Sequence, residues 1–234
     1  MMKYLKKYPW INKNKKYILI SIFLIVVTLI AIKWIVHKIK MKYLHMVLLD
    51  IFKKTIPIFD KHNINYWAIG GTLLGSVREG KIIEYDDDID LGILKKDYLR
   101  INDIKGDFEK VGLVIESPKK DFGLIKIMKK DNNYKKNKIF IDLFPYETTE
   151  NKYIFSEVNA REIWPDEYFL DDEVFPFKKS KLEDIEINIP NKSVTFLERV
   201  FGDCKNNNDC WKIPTITHDH SDEINISLFS ILFQ

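Results

Sequence analysis

The stretch Tyr66–Gly92, YWAIGGTLLGSVREGKIIEYDDDIDLG, decides the fold, because it sets two glycines after one apolar run and an acidic turn before another. Ile64 to Ile69 predicts a short strand, and Thr72 to Arg78 a helix that follows it. Gly70 and Gly71 stand at the junction, where missing side chains let backbone amides come close to a phosphate. Thr72 opens the helix, whose N-terminus favours an anion. Ile89 to Leu94 predicts a second strand. On extended chain, residues two apart face the same side, so Asp88 and Asp90 aim their carboxylates into one space. Such a pair suits Mg2+ or Mn2+, which takes one or two carboxylates plus the phosphate oxygens of a substrate. Asp86 then supports the metal from outside its ligand set. Arg78, a turn or so beyond the glycines, either clamps a phosphate oxygen or forms an exposed ion pair. A calcium loop of the EF-hand kind is set aside, because Leu91 and Asp97 stand where that loop needs glycine and glutamate.

Further along, Lys95 to Ile104 reads as helical, and Leu113–Glu116, Gly123–Met128 and Lys138–Phe144 read as strands. Asp142 is the only charge in Ile139-Phe140-Ile141-Asp142-Leu143-Phe144. A buried carboxylate without a partner is costly or becomes neutral, so a metal or cation is expected beside it unless the strand ends there in water. Lys126 is a second candidate for a phosphate contact, against the plainer reading of a solvated strand lysine. Alternating helices and strands predict a mixed α/β sheet covered by helices. From Pro145 onward the pattern is irregular, with Pro165, Pro176, Pro190 and Pro214 dividing it into short pieces. Thr195 to Phe201 is the clearest later helix, ended by Gly202.

Toward the N-terminus, Tyr17 to Val36 reads YILISIFLIVVTLIAIKWIV. A helix of that length reaches roughly 30 Å, the thickness of a hydrocarbon core. Ser21 and Thr28 can bond to their own helix, Lys33 can snorkel, and Trp34 suits the interface. The run exceeds the usual apolar part of a cleaved signal peptide, so a single uncleaved anchor is expected. Lysines flank it on both sides. The short N-terminal tail favours a type II arrangement, with the catalytic part lumenal or exterior and Golgi- or ER-like if the source is eukaryotic or viral. Cys204 and Cys210, which form either a disulfide or free thiols, and the acceptor patterns at Asn191 and Asn225 agree with it. After the span, Leu44, Leu48, Ile51, Phe52, Ile56 and Phe59 recur at helical spacing and predict a second, amphipathic helix over residues 42 to 62.

The composition excludes several classes. With 46% hydrophobic residues the chain can fill a core, so general disorder is excluded. A net charge of +3 left by 37 basic and 34 acidic residues gives no overall field that selects nucleic acid. His218-Asp219-His220 lacks helical metal-ligand spacing and reads as a polar loop.

Ile69-Gly70-Gly71, Asp88-Ile89-Asp90-Leu91 and Ile141-Asp142-Leu143 together resemble the three-part signature of the polymerase β-like nucleotidyltransferase fold. GGTLLGSVREG followed by DDDID is similar more narrowly to the LicD family, which includes bacterial phosphocholine transferases, fukutin and fukutin-related protein. Weaker likeness runs through Ile141–Tyr146, Phe175-Pro176-Phe177, Ile185–Pro190, Phe196–Gly202 and Trp211–Pro214. Where that family often has Pro-Trp before the acidic run, this chain has Glu84-Tyr85, and the Cys204–Cys210 loop looks like an insertion.

The resemblance implies transfer of a phosphate-bearing alcohol, such as phosphocholine or a polyol phosphate, from a CDP-linked donor to a glycan or glycoconjugate hydroxyl. Asp88, Asp90 and Asp142 would hold Mg2+ or Mn2+, Asp142 would take the proton, and Gly70, Gly71, Thr72, Arg78 and Asp86 would line the substrate. Two other readings stand beside it: transfer of the nucleotide itself, and an inactive membrane-bound glycan-binding protein. The expected organisation is a basic tail (1–16), an anchor (17–36), an amphipathic connection (37–63), the LicD-like catalytic domain (64–214) and a C-terminal tail (215–234).

Overall fold

In a computed structural model, residues 9–117, 124–130, 139–203 and 211–212 are described. Cys204, Cys210, His218-Asp219-His220, Asn225, Pro214 and the tail from 215 lie outside them. The first element, α1 (Pro9–Lys61), is one helix of 53 residues. It corrects the expectation of separate anchor and connecting helices. No glycine or proline stands between Val36 and Lys42, so a change of surroundings along the rod does not break it. From Leu19 to Ile35 its apolar side chains are exposed, and Thr28 bonds its own helix at Leu24 O. The helix is long and apolar enough to cross a membrane. From Met41 onward one face turns inward, and Leu44, Leu48, Ile51, Phe52 and Phe59 are buried at three- and four-residue spacing.

That face covers a mixed sheet. β1 (Tyr66–Ala68) pairs antiparallel with β2 (Ile89–Leu94), which runs parallel to β5 (Ile141–Thr148). β5 is followed outward by antiparallel β4 (Ile125–Lys129) and β3 (Leu113–Glu116). Ile89, Leu91, Ile141, Leu143, Ile125 and Ile127 form the buried face against α1. Between β1 and β2 comes α2 (Gly70–Arg78), beginning two residues before the expected Thr72. Between β2 and β3 the expected helix Lys95–Ile104 divides into α3 (Lys95–Tyr98) and a 3-10 turn (Ile101–Ile104), and a further helix, α4 (Lys105–Lys110), follows.

Among the described residues the part after Pro145 is regular, which corrects the sequence reading. β5 continues through Pro145 and pairs with β6 (Lys152–Phe155), which pairs with β7 (Phe169–Leu170). Pro145 carries no N–H, and it sits on β5 between the last β4 partner, Leu143, and the first β6 partner, Tyr146, where no ladder donor is needed. α5 (Val158–Ile163) and α6 (Asp171–Val174) flank β7. The hairpin β8 (Lys178–Leu182) and β9 (Ile185–Ile189) leads to α7 (Ser193–Phe201). Ser76 and Ser180 tie that hairpin to α2, each hydroxyl donating to a backbone carbonyl of the other element.

Candidate metal and phosphate site

Asp90 lies directly opposite Asp142 in the parallel ladder, and Lys126 lies opposite Asp142 in the antiparallel one. Three adjacent strands therefore present carboxylate, carboxylate and ammonium in one row on the face away from α1. Asp88 joins them from the turn. One oxygen from each of Asp88, Asp90 and Asp142 lies within 4.8 Å of the others. Burial and the mutual repulsion of these charges push the carboxyls of Asp88 and Asp90 well above the ordinary range. Three carboxylates of this kind form a donor set that a hard divalent cation compensates.

Thr72 also holds the fold together at this point. Its buried hydroxyl accepts the backbone N–H of Asp90 at 2.9 Å, so α2 is bonded to the strand that carries the carboxylate. Gly70 has φ +51°, and a Cβ there would lie 3.4 Å from an Asp90 carboxylate oxygen. A Cβ on Gly71 would lie 2.6 Å from Oδ2 of Asp86, so a larger residue there would displace that carboxylate. The two glycines thus make room for acids as well as leaving the first amides of α2 without a side-chain cap. Arg78 is bound to Glu79, its Nε and guanidinium nitrogen at 3.0 and 2.8 Å from Oε1. The carboxylate turn also leans on α1. His37 stacks on Tyr85, Lys38 pairs with Glu84, and His45 contacts the Asp86 carbonyl at 2.8 Å. Burial holds the His45 ring toward its neutral form, and a carbonyl only accepts, so Nε2 carries the hydrogen.

Beyond Asp90 and Asp142 the same face becomes aromatic. Trp67 lies across Gly92, where a Cβ would come within 2.6 Å of the indole, and meets Tyr146 and Phe169 at 5.3 and 6.0 Å. Trp67 therefore packs under β2 rather than under the glycine turn, while Tyr66 faces Phe52 and Phe59.

Lys126, expected as a phosphate contact, and Glu167, not expected at all, take places here that sequence reasoning does not give them. The weight of Lys126 depends on the β4–β5 register, which no local pattern encodes. Glu167 sits among Trp164, Pro165 and Tyr168, and its charge helps to raise both Asp90 and Tyr146. Burial pushes Glu167 itself up to about 7. Its only advance signal is an acid inside an aromatic run.

A raised carboxyl favours the fold while protonated in it. Relative to that state, stability falls as pH rises from the unfolded value near 4.5 through about 7. Glu167→Gln removes this slope. In thermal unfolding at pH 8 the variant is expected to exceed wild type by about 1–3 kcal/mol, with the gap closing by pH 5.

The chain belongs to the LicD/FKTN/FKRP nucleotidyltransferase-domain family, whose family model matches residues 63–192. A functionally uncharacterised protein of Rickettsia prowazekii is 32% identical over 154 residues, covering 66% of this chain and 53% of that one. The ribitol-5-phosphate transferase FKTN of Mus musculus is 28% identical over 74% of this chain and 34% of its own length. For human FKRP, a ribitol 5-phosphate transferase, the values are 27%, 63% and 29%. The chain thus spans about half the length, or less, of these relatives. Among solved structures, ANT(2")-Ia in complex with adenylyl-2"-tobramycin aligns with a TM-score of 0.42 at 15% identity, covering 64% of this chain and 70% of that one.

Proposed function

We propose that the chain is a metal-dependent transferase that moves a phospho-alcohol, phosphocholine or a polyol phosphate, from a CDP-linked donor to a glycan hydroxyl. The observation that carries this reading is the convergence of Asp88, Asp90 and Asp142 within a LicD/FKTN/FKRP domain. The transferase names of FKTN and FKRP support it.

In the reaction the acceptor oxygen forms a bond to the phosphorus that bears the alcohol. The bond from that phosphorus to the bridging oxygen breaks, and CMP departs with the oxygen. Asp142 takes the acceptor proton. The first amides of α2, at Gly70 and Gly71, face the diphosphate, and Thr72 fixes Asp90 through its backbone. Asp88, Asp90 and Asp142 hold Mg2+ or Mn2+, and the bound ion supplies charge neutralisation on the diphosphate. Asp86, between Gly71 and the His45 bond, keeps the turn in place. Residues 17–36 serve as a single membrane anchor, type II in orientation.

The test incubates the full chain, reconstituted in vesicles, with a panel of CDP-alcohols and Mg2+ or Mn2+, and scores CMP. Metal-dependent CMP release with the alcohol phosphate on a glycan is the expected result. Pyrophosphate release from a nucleoside triphosphate, with a nucleotide on the acceptor, would replace this reading by nucleotidyl transfer.

A further inference from the structure

The three-strand row holds a cation whose place is unusual for a metal site. Lys126 Nζ lies 3.1 Å from both oxygens of Asp142, with only 13% and 7% of the two side chains exposed. The same ammonium lies 3.6 Å from the centre of the Phe140 ring. An ammonium spread across both oxygens occupies a lone pair on each, and its charge repels a metal at the remaining ones. The Phe140 face backs the head where it meets Asp142, and a flexible four-carbon stem lets that head swing to a new partner.

We propose that Lys126 is a place-holding cation that exchanges partners: it neutralises Asp142 before metal arrives, then releases it and turns to the diphosphate of the donor. The proposal rests on the transferase reading for the identity of that diphosphate. It goes beyond that reading in making metal and lysine competitors for Asp142 and in making Lys126 a substrate contact only after the metal is seated. Asp88 and Asp90 bind the metal first, because among the described residues only Asp142 of the three is paired with an ammonium, and Asp142 joins as the lysine leaves. No covalent bond is made or broken in the exchange.

The test uses Lys126→Met, which keeps the stem's bulk and removes the charge, and Lys126→Arg, which keeps the charge. Mn2+ binding is read by electron paramagnetic resonance on the full chain without nucleotide, and then CDP binding in saturating Mn2+. Lys126→Met is expected to bind Mn2+ about tenfold more tightly than wild type and CDP about tenfold more weakly, a reciprocal change of ordinary coupling size. Lys126→Arg is expected to restore much of the CDP affinity. A melting temperature that rises with Mn2+ shows that the variant is folded.

Unchanged or weaker Mn2+ binding by folded Lys126→Met overturns the competition. Tighter Mn2+ with unchanged CDP overturns the transfer of Lys126 to the diphosphate. Wild type that binds Mn2+ but no CDP removes the donor reading instead, and the Mn2+ comparison still decides the competition.

Discussion

Asp90→Asn is expected to cut metal-dependent CMP release by about 10^3-fold or more, while raising the melting temperature of the metal-free protein. The two effects have one cause. Asp90 is pushed up by its own burial and by Asp88, Asp142, Asp86 and Glu167, so its charge opposes folding until a cation compensates it. The amide keeps the shape and leaves the Thr72 bond intact, because that bond uses the backbone of residue 90. Asp142→Asn should lose as much activity but should not gain stability, because it removes the partner of the largely buried Lys126 side chain. Paired CMP assays and unfolding curves read both quantities. Asp90→Asn that melts below wild type without metal would show that charge crowding is not what limits the free site.

Arg199→Met is expected to cost about 3–5 kcal/mol of stability, the largest effect away from the carboxylates. Arg199 bonds both oxygens of Glu173, at 3.1 and 2.7 Å, and Glu173 is 1% exposed. Glu173 also accepts the Leu170 N–H, and Arg199 donates to the carbonyls of Asp166 and Tyr168. The substitution therefore leaves one buried charge without its partner and two carbonyls without a donor. Those carbonyls bracket Glu167, so the variant should also lose the raised Glu167 titration while it remains folded. Urea unfolding measures the first effect. A loss below 1 kcal/mol would mean that water replaces the guanidinium and that the 166–168 segment is held by packing alone.

The chemistry-bearing strands were readable because their information is local. Asp88 and Asp90 differ by the two-residue strand period, and Asp142 interrupts an apolar run. Both β2 and the site face of β5 follow from that pattern. What could not be read was relational. Lys126 gains its place from a register between strands distant in sequence, and Glu167 from a loop fixed by Arg199. The helix was misdivided for another reason: all-round apolarity and one-sided apolarity were taken as two elements, although both are satisfied by one rod whose surroundings change. Prolines misled from Pro145 onward, because a proline whose missing N–H faces a gap between two strand partners resembles a breaker in sequence, although Pro145 pairs with Ile93 on its other side.

The contacts of His37, Lys38 and His45 with Tyr85, Glu84 and Asp86 give the rod a second meaning. Nine residues of helix separate Val36 from His45, about 14 Å at 1.5 Å each. With residues 17–36 in a bilayer, the carboxylates have an altitude rather than a range. A domain on a slack tether sweeps a volume and meets whatever floats through it; under the proposed anchoring this one would hold a fixed height, and an acceptor would have to reach that height.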